Sequence, residues 1–271
     1  MLTGQQAAVL KQDQSGPELP SSLTDDAFLG GRVKVLQPEK GYRAGIDAVF
    51  LAATIPMEPG QTALEAGCGV GVVSLCVAAR VANVHITGVE IVSRYSIVAE
   101  ENIKRNGFGG NIQVITGDVK EATRKDLTQW PPAESFNHVF ANPPFFDEDK
   151  VRKSPVSLRD SARTFGPDDL EVWVKVMAAL AVNKGSVTVV HRADSLGRLL
   201  SAFAAAKIGA VHVAPLYARE GYPASRVVVQ GIKGSKAPMQ VLRGLVLHDQ
   251  TNAFTAPASA ILRDGAAYAL R

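Results

Sequence analysis

Apolar residues in this chain fall into short runs punctuated by glycine, proline or polar pairs, and the runs alternate between a strand-like and a helix-like period. Residues 28–37, Phe-Leu-Gly-Gly-Arg-Val-Lys-Val-Leu-Gln, alternate as a strand does, and 38–45 read as a turn ahead of a helix at Asp47. Residues 62–66 predict a strand that runs into Gly67-Cys-Gly-Val-Gly71, followed by a helical stretch to Val81, a strand over 86–90 and a helix over 93–106. Further strands are expected over 112–116, 137–141 and 187–191, with a long helix over 168–182 before the last of them. A helix over 196–206 then precedes two more strands, 210–214 and 226–232. Strands alternating with helices predict an α/β fold whose sheet is mostly parallel and carries helices on both faces. Only residues 215–225 separate the last two strands. That connection suits an antiparallel hairpin at a sheet edge.

Composition narrows the class. Of the 271 residues, 46% are apolar and 20% charged, enough to bury a full core. No run reaches the roughly 18 consecutive apolar residues that a membrane-spanning helix needs. The expected organisation is a flexible N-terminal tail over 1–27, rich in Gln, Ser and Pro at its start, and one domain over 28–271. That domain begins with a strand and turn segment and ends in a small C-terminal extension. The first residues lack the basic-then-apolar order of a signal peptide, so a cytoplasmic location is expected. The two cysteines, Cys68 and Cys76, have neither disulfide-framework nor metal-ligand spacing and read as small buried residues; no metal is expected. The five histidines have no paired acid or nucleophile and receive no catalytic role. A net charge of +3 permits a nucleic-acid partner without requiring one.

Candidate chemistry begins at Glu65-Ala-Gly67-Cys-Gly69-Val-Gly71, which follows a strand and opens a helix. Glycines in that setting let a backbone approach a ligand closely. The spacing departs from the dinucleotide pattern G-x-G-x-x-G, because the third glycine arrives one residue early; the compact form is common in sites for S-adenosylmethionine. Glu90 ends the next strand 19 residues after Gly71, where a carboxylate can accept both ribose hydroxyls or cap the following helix. Gly117-Asp118 ends the third strand, and Asp118 can accept from an adenine amine or cap the next turn. Glu65 can reach a ligand ammonium directly or through water, or stand as a solvated strand-end acid.

Asn142-Pro143-Pro144-Phe145 sits where the strand over 137–141 ends. Two prolines forbid a helix there and bias the preceding residue towards extended geometry. An asparagine amide, the Pro143 carbonyl and the Phe145 ring then converge at one strand tip, a set suited to a planar group bearing an NH2. An ordinary proline turn with Phe145 in the core is the alternative. Between residues 150 and 163 the chain carries Lys150, Arg152, Lys153, Arg159 and Arg163 against Asp160 alone. Such a segment can contact phosphates or simply be solvated. Arg219, Arg226, Lys233 and Lys236 form a second basic set around the expected hairpin, a candidate extension of the same face.

Taken jointly, Glu65-x-Gly67-x-Gly69-x-Gly71, Glu90, Asp118 and Asn142-Pro-Pro-Phe145 resemble, in order and near spacing, the class I S-adenosylmethionine-dependent methyltransferases that modify exocyclic or amide nitrogens. Gly41-Tyr-Arg-Ala-Gly-Ile-Asp-Ala-Val-Phe-Leu-Ala-Ala53 is similar to bacterial enzymes that methylate N6 of adenine 37 in a valine tRNA. The resemblance implies a Rossmann-like, seven-stranded sheet with an antiparallel last strand. It implies S-adenosyl-L-methionine as cofactor and RNA, in particular tRNA, as partner. Asn142, Pro143 and Phe145 become the candidate catalytic turn. Tyr42, Arg43 and Asp47 become candidate contacts to the methionine end of the cofactor, with Asp47 as a helix N-cap left open. Phe145 stands where many relatives have tyrosine, which keeps a stacking face and removes a hydroxyl. Release-factor glutamine methyltransferases resemble the chain at the same loop and turn; DNA adenine methylation is a third reading, disfavoured because no extra segment to read duplex sequence is seen, and a non-catalytic RNA-binding scaffold is a further alternative.

Overall fold

The structure, a computed structural model, describes residues 22–41, 43–124, 130–144 and 169–270. Its centre is a parallel run of five strands, β3 (Thr62–Ala66), β4 (His85–Glu90), β5 (Ile112–Thr116), β6 (Phe136–Ala141) and β7 (Ala181–Arg192). They lie in the order β7-β6-β3-β4-β5. The chain therefore starts in the middle of the sheet, steps outward through β4 and β5, then returns to the other side of β3.

Both faces of these strands are covered, and the strand sequences show why. In β6 the Phe140 side chain joins one apolar cluster while Val139 and Ala141 join the other; in β7 and in the strand Ala224–Lys233 (β9) the same split puts Val190 and Val228 on the first face and Val189 and Val227 on the second. Strands buried on both sides read as continuous apolar runs, as these do. The first face is covered by α1 (Ile46–Thr54), α2 (Val72–Arg80), α3 (Ser93–Arg105) and α6 (Ala256–Asp264); the second by α4 (Asp169–Leu180) and α5 (Leu196–Ala205). Among the described residues, no helix is long and apolar enough to cross a membrane.

The mostly parallel α/β sheet thus forms as expected, with two differences. The antiparallel strand, β9 (Ala224–Lys233), lies inside the sheet between β7 and β8 (Ile208–Arg219), not at its edge. Its apolar run Val227–Val228–Val229 is buried, a composition suited to an interior strand. The edge beyond β8 is then covered in parallel by two short strands, β10 (Gln240–Val241) and β11 (Leu245–His248), making nine strands in this sheet among the described residues where seven were expected. Unpaired backbone along β8 would otherwise be left open.

The second difference is at the start. Residues 28–37 are not one strand: β1 (Leu23–Phe28) and β2 (Val33–Pro38) form an antiparallel hairpin around the turn Leu29–Gly31, so ordered structure begins ahead of Phe28. Leu29 and Gly30 both have positive φ, which breaks the extended run. The polar β1 sequence Leu-Thr-Asp-Asp-Ala-Phe gave little alternation to read. Its acids face cations instead, Asp25 with Arg105 at 2.7 Å and Asp26 with Arg43 at 2.5 Å.

Phe140 is fully buried at the centre of the sheet. Phe140→Ala is expected to lower stability by about 3–5 kcal/mol, through lost transfer energy and the cavity left behind. Urea unfolding of the two proteins measures it.

Candidate functional site

Register fixes the site. Ala66 of β3 pairs with Ala141 of β6 and with Val89 of β4, so Gly67, Asn142 and Glu90 leave neighbouring strands at one height. Parallel neighbours lie about 4.8 Å apart. The chain reverses its direction of travel across the sheet between β3 and β6, and open α/β sheets hold their ligands at such a point, beyond the carboxyl ends of the strands. A cleft of about 670 Å³, including its open mouth, lies there. Its walls bring together Gly67, Gly69, Glu90, Asp118 and Asn142 from four separate strand ends.

The glycine loop is held by its own backbone and by acids beneath it. Gly67 (φ 67°), Gly69 (φ 55°) and Gly71 (φ 88°) all occupy the left-handed region, and Gly71 is the N-cap of α2. Space is equally decisive at Gly67, where an added Cβ would stand 2.6 Å from the Trp173 ring. Glu90 accepts the Gly69 N–H at 2.8 Å through one oxygen and the Val92 N–H at 2.8 Å through the other. It therefore fastens the loop to β4 while lining the cleft, and burial raises its carboxyl above the usual range. The Ile91 N–H adds a third backbone donor, and a carboxylate with about four lone-pair sites keeps room for a further one.

Glu65 plays a different part from the ligand contact expected. It is only 2% exposed, lies off the cleft wall, and accepts both the backbone N–H and the hydroxyl of Ser74 at the start of α2. A carboxyl taken out of water resists ionisation, and burial pushes Glu65 up to about 8 despite the Ser74 bonds. Gly71 likewise lies behind the wall and shapes the loop from there. Cys68 and Cys76 are buried free thiols, as their spacing suggested.

Asp118 lines the cleft and caps the following 3-10 turn, accepting the Lys120 N–H at 2.9 Å. Asn142 and Pro144 line the opposite wall, with Pro143 buried. The Asn142 Oδ1 is buried and, among the described residues, has no hydrogen-bond partner. Leaving a buried acceptor unpaired costs about 1–3 kcal/mol. An oxygen held in that condition on a cleft wall is ready to accept from a donor brought by a ligand.

Several wall residues escaped the sequence reading. Val89, Ile91, Val92, Tyr95 and Val119 supply the apolar surface between Glu90 and Asp118, and Ile91 is 41% exposed at the lip. Trp173 reaches the cleft from α4, and Trp130 packs beneath Gly117, where an added Cβ would meet its ring at 3.0 Å. An isoleucine and a valine directly after a strand-end acid were the available clue to the first group. Nothing local marked the tryptophans, which arrive through the tertiary fold.

Arg43 and Asp47 do not line the cleft. The Arg43 guanidinium is engaged by Asp26, Thr24 and the Pro38 carbonyl, tying the hairpin to the chain that follows it. Asp47 is in the first turn of α1 rather than at its N-cap, which is Gly45, and it pairs with Arg226 at 2.9 Å. The second basic set does not form one face either. Arg226 and Lys233 stand at opposite ends of β9, separated by about 23 Å at the usual strand rise. Arg219 bonds Asn252, and Lys233 bonds Glu134 at 2.9 Å and the Ala181 carbonyl at 2.8 Å. Tyr42, Phe145, Lys150, Arg152, Lys153, Arg159 and Arg163 lie outside the described residues. Among the described residues, no group of three or more His, Cys, Asp or Glu is disposed to hold a metal ion. His138 bonds Ser186 and Gln61, and burial lowers it to about 4.

Residues 43–159 match the methyltransferase small domain family. A Bacteroides fragilis protein named tRNA1(Val) (adenine(37)-N6)-methyltransferase is 29% identical over 153 residues, 56% of this chain and 61% of that protein. The match therefore spans less than two thirds of that relative's length. A Shewanella baltica protein of the same name is 23% identical over 69% of this chain and 76% of its own. Among solved structures, a predicted O-methyltransferase from Agrobacterium tumefaciens superposes with a TM-score of 0.69 at 24% identity, covering 82% of this chain and 98% of that one. The fold is thus the Rossmann-like fold of methyltransferases.

Two outcomes follow from the loop. Gly67→Ala is expected to cost more than the roughly 1–2 kcal/mol of left-handed strain alone, and Trp173→Phe in the same chain to recover the excess; a double-mutant cycle in urea measures both. Glu65 keeps, in the folded protein, a proton that the unfolded chain releases near its ordinary value of 4.5, so its contribution to stability falls as pH rises from about 4.5 to about 8 and is level beyond. Glu65→Gln is expected to remove that slope, read as the difference between the two stability–pH curves.

Proposed function

We propose that this chain is an S-adenosylmethionine-dependent methyltransferase that modifies the exocyclic N6 of adenine in RNA, with tRNA as the substrate class and the cytoplasm as the place of action. The unpartnered Asn142 oxygen on the cleft wall, one strand away from the glycine loop, carries the reading. The names of the Bacteroides and Shewanella relatives support the choice of tRNA adenine.

The residues present fit the cofactor. Glu90 has lone pairs to spare for ribose hydroxyls, Asp118 stands at the third strand end for an adenine amine, and Ile91, Val92 and Val119 give the base apolar walls. Glycine at 67 leaves backbone and the Trp173 ring, with no Cβ, at the floor of the cleft. When bound, S-adenosylmethionine supplies an electrophilic methyl group. The protein's own work is then alignment and exclusion of water.

The acceptor amine of adenine is a poor nucleophile, because its lone pair is delocalised into the ring. Asn142 Oδ1 and the Pro143 carbonyl, accepting its two N–H bonds, favour a pyramidal nitrogen whose lone pair is free to attack. Both acceptors are fixed before reaction by the proline geometry, so positive charge developing on nitrogen meets dipoles already oriented. No strong base is needed ahead of transfer, since the methylated cation loses its proton readily. Phe145, following the turn, is the stacking partner for the base, at about 1–3 kcal/mol. Lys150, Arg152, Lys153, Arg159 and Arg163 are the phosphate contacts in this account.

Asn142→Ala is expected to bind S-adenosylmethionine within a few-fold of the parent and to lose at least a hundredfold in transfer rate. Calorimetry and transfer of radiolabelled methyl to unmodified tRNA read the two effects. Undiminished transfer by the variant would remove Asn142 from the mechanism.

A further inference from the structure

One fully buried asparagine joins the N-terminal hairpin to the glycine loop. Asn102 lies on α3, is 0% exposed, and spends its whole side chain on backbone. Its Oδ1 accepts the Leu36 N–H of β2 at 2.7 Å, and its Nδ2 donates to the Leu36 carbonyl at 3.0 Å and to the Val70 carbonyl of the glycine loop at 3.0 Å. One helical turn later, Asn106 repeats the first half of this pattern on Lys34, accepting its N–H at 2.9 Å and donating to its carbonyl at 2.7 Å.

The geometry explains the pairing. Lys34 and Leu36 are two apart in β2, so their outward N–H and C=O groups repeat about every 6.6 Å. Asn102 lies on α3 and Asn106 is its C-cap four residues on, about 6 Å along the helix axis. Two side-chain amides therefore stand in for a neighbouring strand on the open edge of the hairpin. Only Asn102 also reaches the loop. Val70 lies between Gly69, whose N–H is held by Glu90, and Gly71, the N-cap of α2. The loop is thus gripped from β4 by a carboxylate and from α3 by an amide.

We infer that Asn102 is a positioning residue for the cofactor loop and couples the docked N-terminal hairpin to it, an inference that rests on the cofactor reading above. Asn106 docks the same hairpin without touching the loop, which makes it the internal control. Asn102→Asp keeps the acceptor for Leu36 and turns the donor facing Val70 and Leu36 into an oxygen. Asn106→Asp makes the same change towards Lys34 and, apart from it, only towards the Asn102 carbonyl within α3.

The test compares the three full-length proteins by thermal denaturation, calorimetric binding of S-adenosylmethionine, and hydrogen exchange at the amides of residues 68–72. Both variants are expected to melt earlier. Asn102→Asp is expected to weaken binding at least tenfold and to speed loop exchange, whereas Asn106→Asp stays within twofold of the parent in both. Equal binding and equal loop protection in the two variants would overturn the inference. If Asn102→Asp does not fold, Asn102→Ser carries the same comparison. Should the parent itself take no S-adenosylmethionine, the cofactor reading fails, and loop exchange in the unliganded proteins still decides whether Asn102 holds the loop.

Discussion

Parallel pairing of β3 with β6, in the register that sets Ala66 opposite Ala141, is the constraint from which the site is built. The residue after each alanine leaves the sheet at the same height, so a left-handed glycine turn and a proline-stiffened asparagine turn are placed side by side without any long side chain reaching across. A one-residue slip would reverse which side chains of β6 face each core and move Asn142 out of line with Gly67. Phe140, Val139 and Ala141, each buried and alternating between two apolar clusters, make that slip costly. Packing in the core thereby holds the geometry of the cleft.

Around this register the molecule places polar groups where burial is expensive and satisfies them nearly completely. Glu90 holds the loop through backbone donors, Glu65 is given to Ser74, and Asn102 gives all of its amide to backbone. Buried networks of this kind rigidify only when each member is paired. Asn142 Oδ1 is the exception on the cleft wall. An unpaired acceptor on the wall is where a ligand donor gains most, and this sets Asn142 apart from Glu65, which lies off the wall and is engaged by Ser74.

Much of the fold could be read along the chain because its strands are buried on both faces and its helices are separated by glycine and proline. The strand over 112–116 and the loop from Gly67 to Gly71 fall where the pattern puts them. What escaped has physical reasons. β1 was hidden by two consecutive aspartates whose partners, Arg43 and Arg105, are distant in sequence. β9 enters the sheet between two strands because of the order of pairing, which local periodicity does not encode. Trp173 meets Gly67 across more than a hundred residues, so no spacing announces it. Glu65 suggests a ligand contact by its place before the glycines, and Arg43 and Asp47 by the family resemblance, whereas their nearest partners in space are Ser74, Asp26 and Arg226.

The proposed function assigns the glycine loop to a methyl donor and the asparagine turn to the exocyclic nitrogen of adenine. The most direct measurement offers the protein S-adenosylmethionine with a deuterated methyl group, together with unmodified tRNA and a glutamine-bearing release-factor peptide, and identifies the labelled species by mass spectrometry. Trideuterated N6-methyladenosine from the tRNA is the predicted result. Label on the glutamine amide alone, or on neither substrate, would contradict the account.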